Sequence, residues 1–575
     1  MLASLAVFWL WPLLTQGYPI THSTQFNLSW AFQYQTQFLA GQFYPRWLEF
    51  SNFGFGNATF AFYPPLCMVA TLPFRLLGMT PSGSLVASSV LAVFLMGVGL
   101  FLWMRSLVAW PWWGSLVVAA VGMGGHYFLG DFVIRGAIAE GWAVTVLPWI
   151  GWQTVEVLRS ERLSLQRLVG LAVAYGLLVL SHLPTLLLFT LVWVPLVAWA
   201  AASWRVAVRA YAALGLALLW TAFYLVPAYA DQALVQIDGV NFADEYKPQF
   251  RLMVDGLLRL RPQVTSHWYD TTLLRFWWIS VVGVGWAGLG LSLPQVRHWR
   301  WYGGLLLLST VPLVMMTDLL GWIYAQVLTL QRIQFSWRWM AVTSVSLPVL
   351  WGLLASRLTP PWSRRTVILM AGLILLAGLW LWDSWSVRPR IAVNPSVIAT
   401  FDRLAAEKAA AFPEEPQGSP RQNFLYWHWI APDGLSLVDV PEYRAKGVIL
   451  PMPPASTPGL LAWQNQNAGS LTIQRWQFGL REFQADNQTR LSQILMLRTF
   501  DYPAWRVERD GQPIPRERSA SGQLQVTVPP GSHQFRVVYG TTFWEQVGRI
   551  LTVITLISTA TAWIWGSLQP AHDTQ

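Results

Sequence analysis

The chain is a succession of apolar stretches, each near the length of a membrane-crossing helix, joined by connections in which arginine gathers on alternate turns. Apolar residues make up 54% of the 575 and charged residues only 11%. A single soluble domain cannot hide that much apolar surface, so the chain must place it against lipid. About twenty apolar residues cross the hydrocarbon core as a helix. Windows of that kind lie near 1–17, 84–104, 112–130, 139–156, 168–183, 184–203, 210–229, 273–293, 301–317, 338–356, 366–383 and 546–566. The expected fold class is an all-α polytopic membrane bundle of about twelve transmembrane helices. Gly or Pro interrupts several windows, which membrane helices tolerate when neighbours satisfy the freed backbone groups. The 37 tryptophans crowd many window ends, as interfacial anchoring predicts.

The connections also give an orientation. One set holds Arg105; Arg159, Arg162 and Arg167; Arg205 and Arg209; Arg297 and Arg300; and Arg357, Arg364 and Arg365. The other set is poor in Arg or too long to count, so the positive-inside rule places the arginine set in the cytoplasm. Both termini are then cytoplasmic, residues 1–17 are a retained first span, and the long segments 18–83, 230–272 and 384–545 face outside. The run Phe60 to Leu77 breaks the parity. Its Tyr63-Pro64-Pro65 start and Arg75 suit a re-entrant or interface-lying segment. A true span there is the alternative, and it would put Arg105 outside.

Beyond Asp383 the composition turns polar. Residues 399–411 suit a short amphipathic helix. Strand-like alternation follows at Leu435–Val440, Leu471–Trp476, Trp505–Arg509, Leu524–Val528 and Phe535–Tyr539. Asp510-Gly511 and Pro529-Pro530-Gly531 supply turns. This predicts a small extracytoplasmic antiparallel β domain at 384–545, between a bundle at 1–383 and a final helix with a cytoplasmic tail at 546–575. Cys67 is the sole cysteine, which excludes an internal disulfide there. No Lys/Arg run interleaved with aromatics points to nucleic acid.

The outer loops carry the informative polarity. Residues 24–40 mix aromatics with Gln and Asn, fitting a helix in the membrane interface. Arg46 and Glu49, at i, i+3, suit a phosphate headgroup held by the guanidinium, with the carboxylate orienting it or acting as a base; a membrane-surface corner is the plainer alternative. Asp131 and Arg135 stand at i, i+4, spaced for an ion pair. Glu140 sits at the mouth of the next window, where an ionisable group is costly unless it faces a cavity or a partner. His182 can donate a hydrogen bond or relay a proton, or simply satisfy an interhelical contact. Arg332 and Arg338 lie on the outer side against the topology rule, which fits an anion-binding rim.

The runs Gly41-Gln-Phe-Tyr-Pro-Arg-Trp47, Gly54-Phe-Gly56 and Phe62-Tyr63-Pro-Pro-Leu66 resemble the bacterial membrane proteins labelled 6-pyruvoyl-tetrahydropterin synthase-related. Ala139-Glu140, Ser181-His182-Leu183, Gln334-Phe335-Ser-Trp337-Arg338 and Tyr502-Pro503-Ala-Trp505 fit the same group and the YfhO-like membrane proteins, both similar to the glycosyltransferase C superfamily. The resemblance implies a bacterial inner-membrane protein that takes a sugar from a polyprenyl-phosphate or pyrophosphate donor at the outer face. It implies an acidic base or metal ligand early in the first outer loop, and admits a divalent metal without requiring one. Here Ser23 and Asn27 stand where that pattern has Asp and His, so Glu49, Asp131 or Glu140 takes the acid's place, or the chain binds lipid or a membrane-protein complex without catalysis. A transporter is the third reading; it wants an internal repeat and midplane charges, and neither is evident.

Overall fold

The structure, a computed structural model, describes residues 1–52, 54–160, 164–237, 254–255, 259–260, 268–293, 299–358, 363–388, 391, 393–411, 439–448, 459–465 and 467–568. Of the expected strand at 435–440 only Asp439 and Val440 fall within them. Asp238, Asp244, Glu245, Lys247 and His267 of the long loop fall outside.

The molecule is mostly helical, with a C-terminal antiparallel β domain. Among the described residues six helices are long and apolar enough to cross a membrane: Pro81–Leu107, Leu183–Ala200, Thr272–Ser292, Ser336–Ala355, Arg364–Ser386 and Phe543–Trp565. The count reaches eight if two bent pairs are single spans, Trp112–Met123 with His126–Arg135 and Trp204–Trp220 with Ala222–Ala230. The other expected windows also fold as helix. Residues 1–17 divide into Leu2–Trp9 and Trp11–Gln16, Ile138–Arg159 carries Glu140 and Glu156, and Leu165–Val179 and Trp299–Met315 are shorter. Exposed faces of the long helices present Ile374, Leu375, Ile554 and Ile557. An apolar exterior of this kind belongs in lipid, and the protein is an integral membrane protein.

Within the bundle, Pro81–Leu107 packs along Ile138–Arg159. A Cβ on Gly151 would lie 2.4 Å from the Trp103 ring, so only glycine permits that approach. Tryptophan does more here than anchor window ends. Trp277, Trp286, Trp351 and Trp380 donate ring N–H bonds of 3.0–3.2 Å to carbonyls of neighbouring helices, at Leu313, Leu369, Gly283 and Val121. Such bonds join helices where packing alone gains little over lipid contact.

The arginine-bearing connections meet at one end. Arg159 donates to the carbonyls of Ser106 and Leu107, Arg209 to Ser160 and Arg300 to Ala201, while Arg365 reaches Ser292. Arg159, Arg209 and Arg300 thus cap open C-terminal carbonyls of neighbouring segments, and Arg365 holds the Ser292 hydroxyl. The β domain stands at the other end, about 36 Å away along the 24-residue helix Arg364–Val387.

Residues 60–77 form no continuous crossing helix. Three short helices, Thr59–Phe62, Leu66–Val69 and Leu72–Leu76, break at Pro64-Pro65 and Thr71. Helix Thr24–Leu39, expected at the interface, is instead buried along most of its length. Its glutamines explain the difference. Gln33 bonds Ser51 and the Phe50 amide, Gln35 bonds Thr71 and Ser84, and Gln37 bonds the Trp47 carbonyl. Polar side chains satisfied this way can enter a core.

Among the described residues nine strands make the β domain: β1 Leu461–Trp463, β2 Gly469–Gln477, β3 Leu480–Asn487, β4 Gln493–Phe500, β5 Trp505–Arg509, β6 Gln512–Ile514, β7 Glu517–Arg518, β8 Gln523–Val528 and β9 Gly531–Tyr539. Two antiparallel sheets run β1-β4-β8-β7 and β2-β3-β9-β5-β6. Asp510 and Gly511, both at positive φ, turn β5 into β6. A 2.7 Å hydrogen bond with His533 holds the Asp510 carboxyl below its usual range. The first loop enters this domain's core: Trp47 packs edge-on to Trp505, and Phe55 stacks on Phe500 with centroids 5.1 Å apart.

Candidate functional site

Ile138–Arg159 begins just after one π-type turn, Asp131–Arg135, and a left-handed Gly136. The wider turn brings residues from two helices onto one point, a construction common at functional sites. Arg135 is the centre. Its Nη1 lies 2.5 Å from Asp131 Oδ1, as the i, i+4 spacing predicts, and its Nη2 lies 2.9 Å from Glu140 Oε2. Tyr127 donates to Glu140 Oε1 at 2.5 Å and accepts from Arg135 at 2.9 Å. Arg338 approaches from Ser336–Trp339, with Nε 3.7 Å from Glu140 Oε2. It also donates to the Ile333 carbonyl and packs over the Phe335 ring.

Both carboxylates are sealed, at 0% and 1% side-chain exposure, while Arg135 and Arg338 show 10% and 13%. The reachable edge is therefore cationic, with the acids behind it. Glu140 has both oxygens engaged. Asp131 Oδ2 is buried with no hydrogen-bond partner, so it is the acceptor here with capacity to spare. Two buried carboxylates side by side are costly without the Arg135 guanidinium between them, with Arg338 adding a longer contact to Glu140 alone.

The first loop touches this cluster where the Ser23–Asn27 segment lies. The His22 amide bonds the Ile134 carbonyl at 3.3 Å, and Asn27 Nδ2 bonds the Gly136 carbonyl at 2.7 Å. Gly136 is required there, since a Cβ would fall 2.2 Å from Thr21 Oγ1.

The other expected residues lie in separate surroundings or at the edge of this one. His182 is buried within electrostatic range of Glu140 and Arg338, and its Nδ1 pairs with Thr185 Oγ1 at 2.8 Å. Arg332 donates to Gln232 Oε1 at 3.1 Å. Arg46 pairs with Glu545 at 2.6 Å and bonds the Phe223 carbonyl. Glu49 is clasped by Arg481 and by the Gly479 amide. Arg46 and Glu49 thus join the first loop to the last helix and to the β domain.

Sequence reasoning did not find Tyr127, Asp439 or the buried group around Asp383. Asp439 accepts from Trp30, Ser51, Thr59 and its own neighbour Val440, fastening segment 439–448 to the first loop. Asp383 faces Arg275 at 3.0 Å and His126 at 3.3 Å, with Thr272 3.0 Å beyond the imidazole. For Asp383 and His126, an ionisable residue inside an apolar window was the available signal. As for metals, the Arg135 guanidinium fills the space between Asp131 and Glu140 that a divalent cation would occupy, so this donor set does not fit one. Among the described residues no three His, Cys, Asp or Glu are placed to hold a metal ion.

No protein-family profile and no curated protein sequence matches the chain. Among solved structures it is similar to arabinofuranosyltransferase AftD from Mycobacteria, at 17% identity over 71% of this chain and a TM-score of 0.41. The R1389S mutant of AftD gives 15%, 67% and 0.43. In both, the chain spans only 28% of the AftD length. ArnT from Cupriavidus metallidurans bound to undecaprenyl phosphate is 14% identical over 71% of this chain and 69% of ArnT, with a TM-score of 0.37.

Proposed function

We propose that this protein is a membrane glycosyltransferase of the glycosyltransferase C kind, using a polyprenyl-phosphate-linked or pyrophosphate-linked sugar at the outer membrane face. The observation that carries the reading is the Asp131–Arg135–Glu140–Arg338 cluster, whose accessible edge is two guanidiniums and whose sealed side holds an acceptor with spare capacity. The motif resemblance supports the same class.

In this reading Arg338 and Arg135 receive the donor phosphate, because planar guanidiniums match its oxygens. An acceptor hydroxyl attacks the anomeric carbon as the sugar–phosphate C–O bond breaks. The polyprenyl phosphate leaves with the bonding pair, and the hydroxyl proton passes to Asp131 Oδ2, which requires that acceptor binding open the sealed side of the cluster. One direct displacement inverts the anomeric centre. Glu140 and Tyr127 fix Arg135, and the cluster works without a metal.

The test is turnover of labelled polyprenyl-phosphate sugars by purified protein in liposomes. Asp131→Asn should lower turnover by about 10²-fold or more, as loss of a general base does. Glu140→Gln should lower it less, by misplacing Arg135. The saturation of both Glu140 oxygens favours a second reading, in which the cluster only braces a lipid-binding or complex-assembly protein. Absence of turnover with every prenyl-linked sugar, alongside stable partner binding, would establish that reading instead.

A further inference from the structure

A cavity of about 660 Å³ opens where the first loop, the β domain and the last helix meet. It does not include the Asp131 cluster. Tyr44, Arg46, Tyr539, Glu545, Arg549 and Val553 are among the residues that line it. Three features show what it would hold. Arg549 is exposed and makes no hydrogen bond or ion pair among the described residues, so a full guanidinium fork faces the space. The Tyr539 hydroxyl is buried with no hydrogen-bond partner. Glu545 uses Oε2 on Arg46 and leaves Oε1 buried and unpartnered. Unmade bonds on buried polar groups are costly, which makes them markers of a missing ligand.

The charges favour an anion. Arg481 pairs with Glu49 and Arg46 with Glu545, so among the charged residues that line the cavity Arg549 is the one with no ion pair among the described residues. The flanking helix Phe543–Trp565 is the least buried of the six long spans, and Ile550, Ile554 and Ile557 are exposed along it. An acyl chain can lie on that surface while its headgroup enters the cavity.

We propose that this cavity binds an anionic phospholipid whose headgroup carries both a phosphodiester and a free hydroxyl, the chemistry of phosphatidylglycerol. The phosphate oxygens accept from Arg549 and Tyr539, and the headgroup hydroxyl donates to Glu545 Oε1. The volume lies within the range of small-molecule sites. The site is independent of the transfer reaction, so either can fail alone.

Native mass spectrometry of the delipidated full chain tests it, with short-chain phosphatidylglycerol, phosphatidylcholine and inorganic phosphate as probes. Phosphatidylglycerol should saturate one site and bind roughly ten-fold or more tighter than phosphatidylcholine, the worth of one charge-assisted contact. Arg549→Ala should remove about the same factor, and Tyr539→Phe a smaller one, with both variants melting as wild type does. Equal binding of the two lipids, or Arg549→Ala binding like wild type, would overturn the proposal. Inorganic phosphate that displaces phosphatidylglycerol at equal affinity would assign the site to a free anion, and the lipid reading would fall.

Discussion

Arg135 pairs with two sealed carboxylates at once, so its loss leaves Asp131 without its ion pair and Glu140 with only the longer contact to Arg338. Breaking a buried pair by removing one partner costs about 3–5 kcal/mol. Arg135→Met should therefore lower the thermal midpoint in detergent sharply, and adding Asp131→Asn with Glu140→Gln should recover most of the loss. A single variant that melts with wild type would show that the carboxylates do not depend on the guanidinium. Part of this cluster was legible in the sequence. The i, i+4 spacing gave the Asp131–Arg135 pair, and the depth of Glu140 marked it as needing a partner. Tyr127 was not legible, because a tyrosine within an apolar window reads as packing and only the π turn aims it at Glu140. Arg46 and Glu49 looked like one phosphate site at i, i+3. Their actual partners, Glu545 and Arg481, lie more than four hundred residues on, beyond the reach of local spacing.

At the scale of elements, the joint between first loop and β domain rests on shape. Gly56 sits at φ 84 under the Trp47 indole, and a Cβ would fall 2.2 Å from its Nε1. Neither the backbone nor the ring can yield cheaply, since Trp47 is wedged against Tyr502, Trp505 and Tyr539. Gly56→Ala should destabilise by roughly 1–3 kcal/mol through overpacking and strain. Hydrogen exchange should locate the loss at 46–63 and at β5 and β9 while the bundle stays protected; unchanged exchange at those strands would refute the joint. Of the strands that the sequence revealed, β5, β8 and β9 alternate, while β2 keeps alternation only up to a register shift between Ile473 and Arg475. β3 escaped because its inward positions are Arg481, Phe483, Ala485 and Asn487, so the burial alternates while the polarity does not. β4 escaped for the opposite reason, as Ile494-Leu-Met-Leu497 is continuously apolar. The 24–39 helix misled through its glutamines, whose partners come from other loops.

The whole molecule has two unlike ends. One gathers Arg159, Arg209 and Arg300 into a layer of carbonyl caps, with Arg365 on the Ser292 hydroxyl, and the other carries the first loop, the Asp131 cluster and the β domain. The sequence placed these arginines on one side by alternation alone, and the structure adds that their connections touch. Capping does not require a positive end to face the cytoplasm; that step rests on the positive-inside bias of insertion. Single cysteines introduced at 105, 364, 80 and 510 can test it, because Cys67 is buried and gives little background labelling. An impermeant thiol reagent added outside intact cells should reach 80 and 510, and reach 105 and 364 only after the membrane is opened. Position 80 is the decisive member of the set. Ser82 is hydrogen-bonded to Asp402 of the helix Pro395–Ala411, which follows the bundle at the β-domain end. The broken helices of 59–76 therefore have to return the chain to the side it left. Label at 80 only after permeabilisation, with 510 still open from outside, would mean that the segment crosses, and the one-sided arginine layer would then lose its topological meaning.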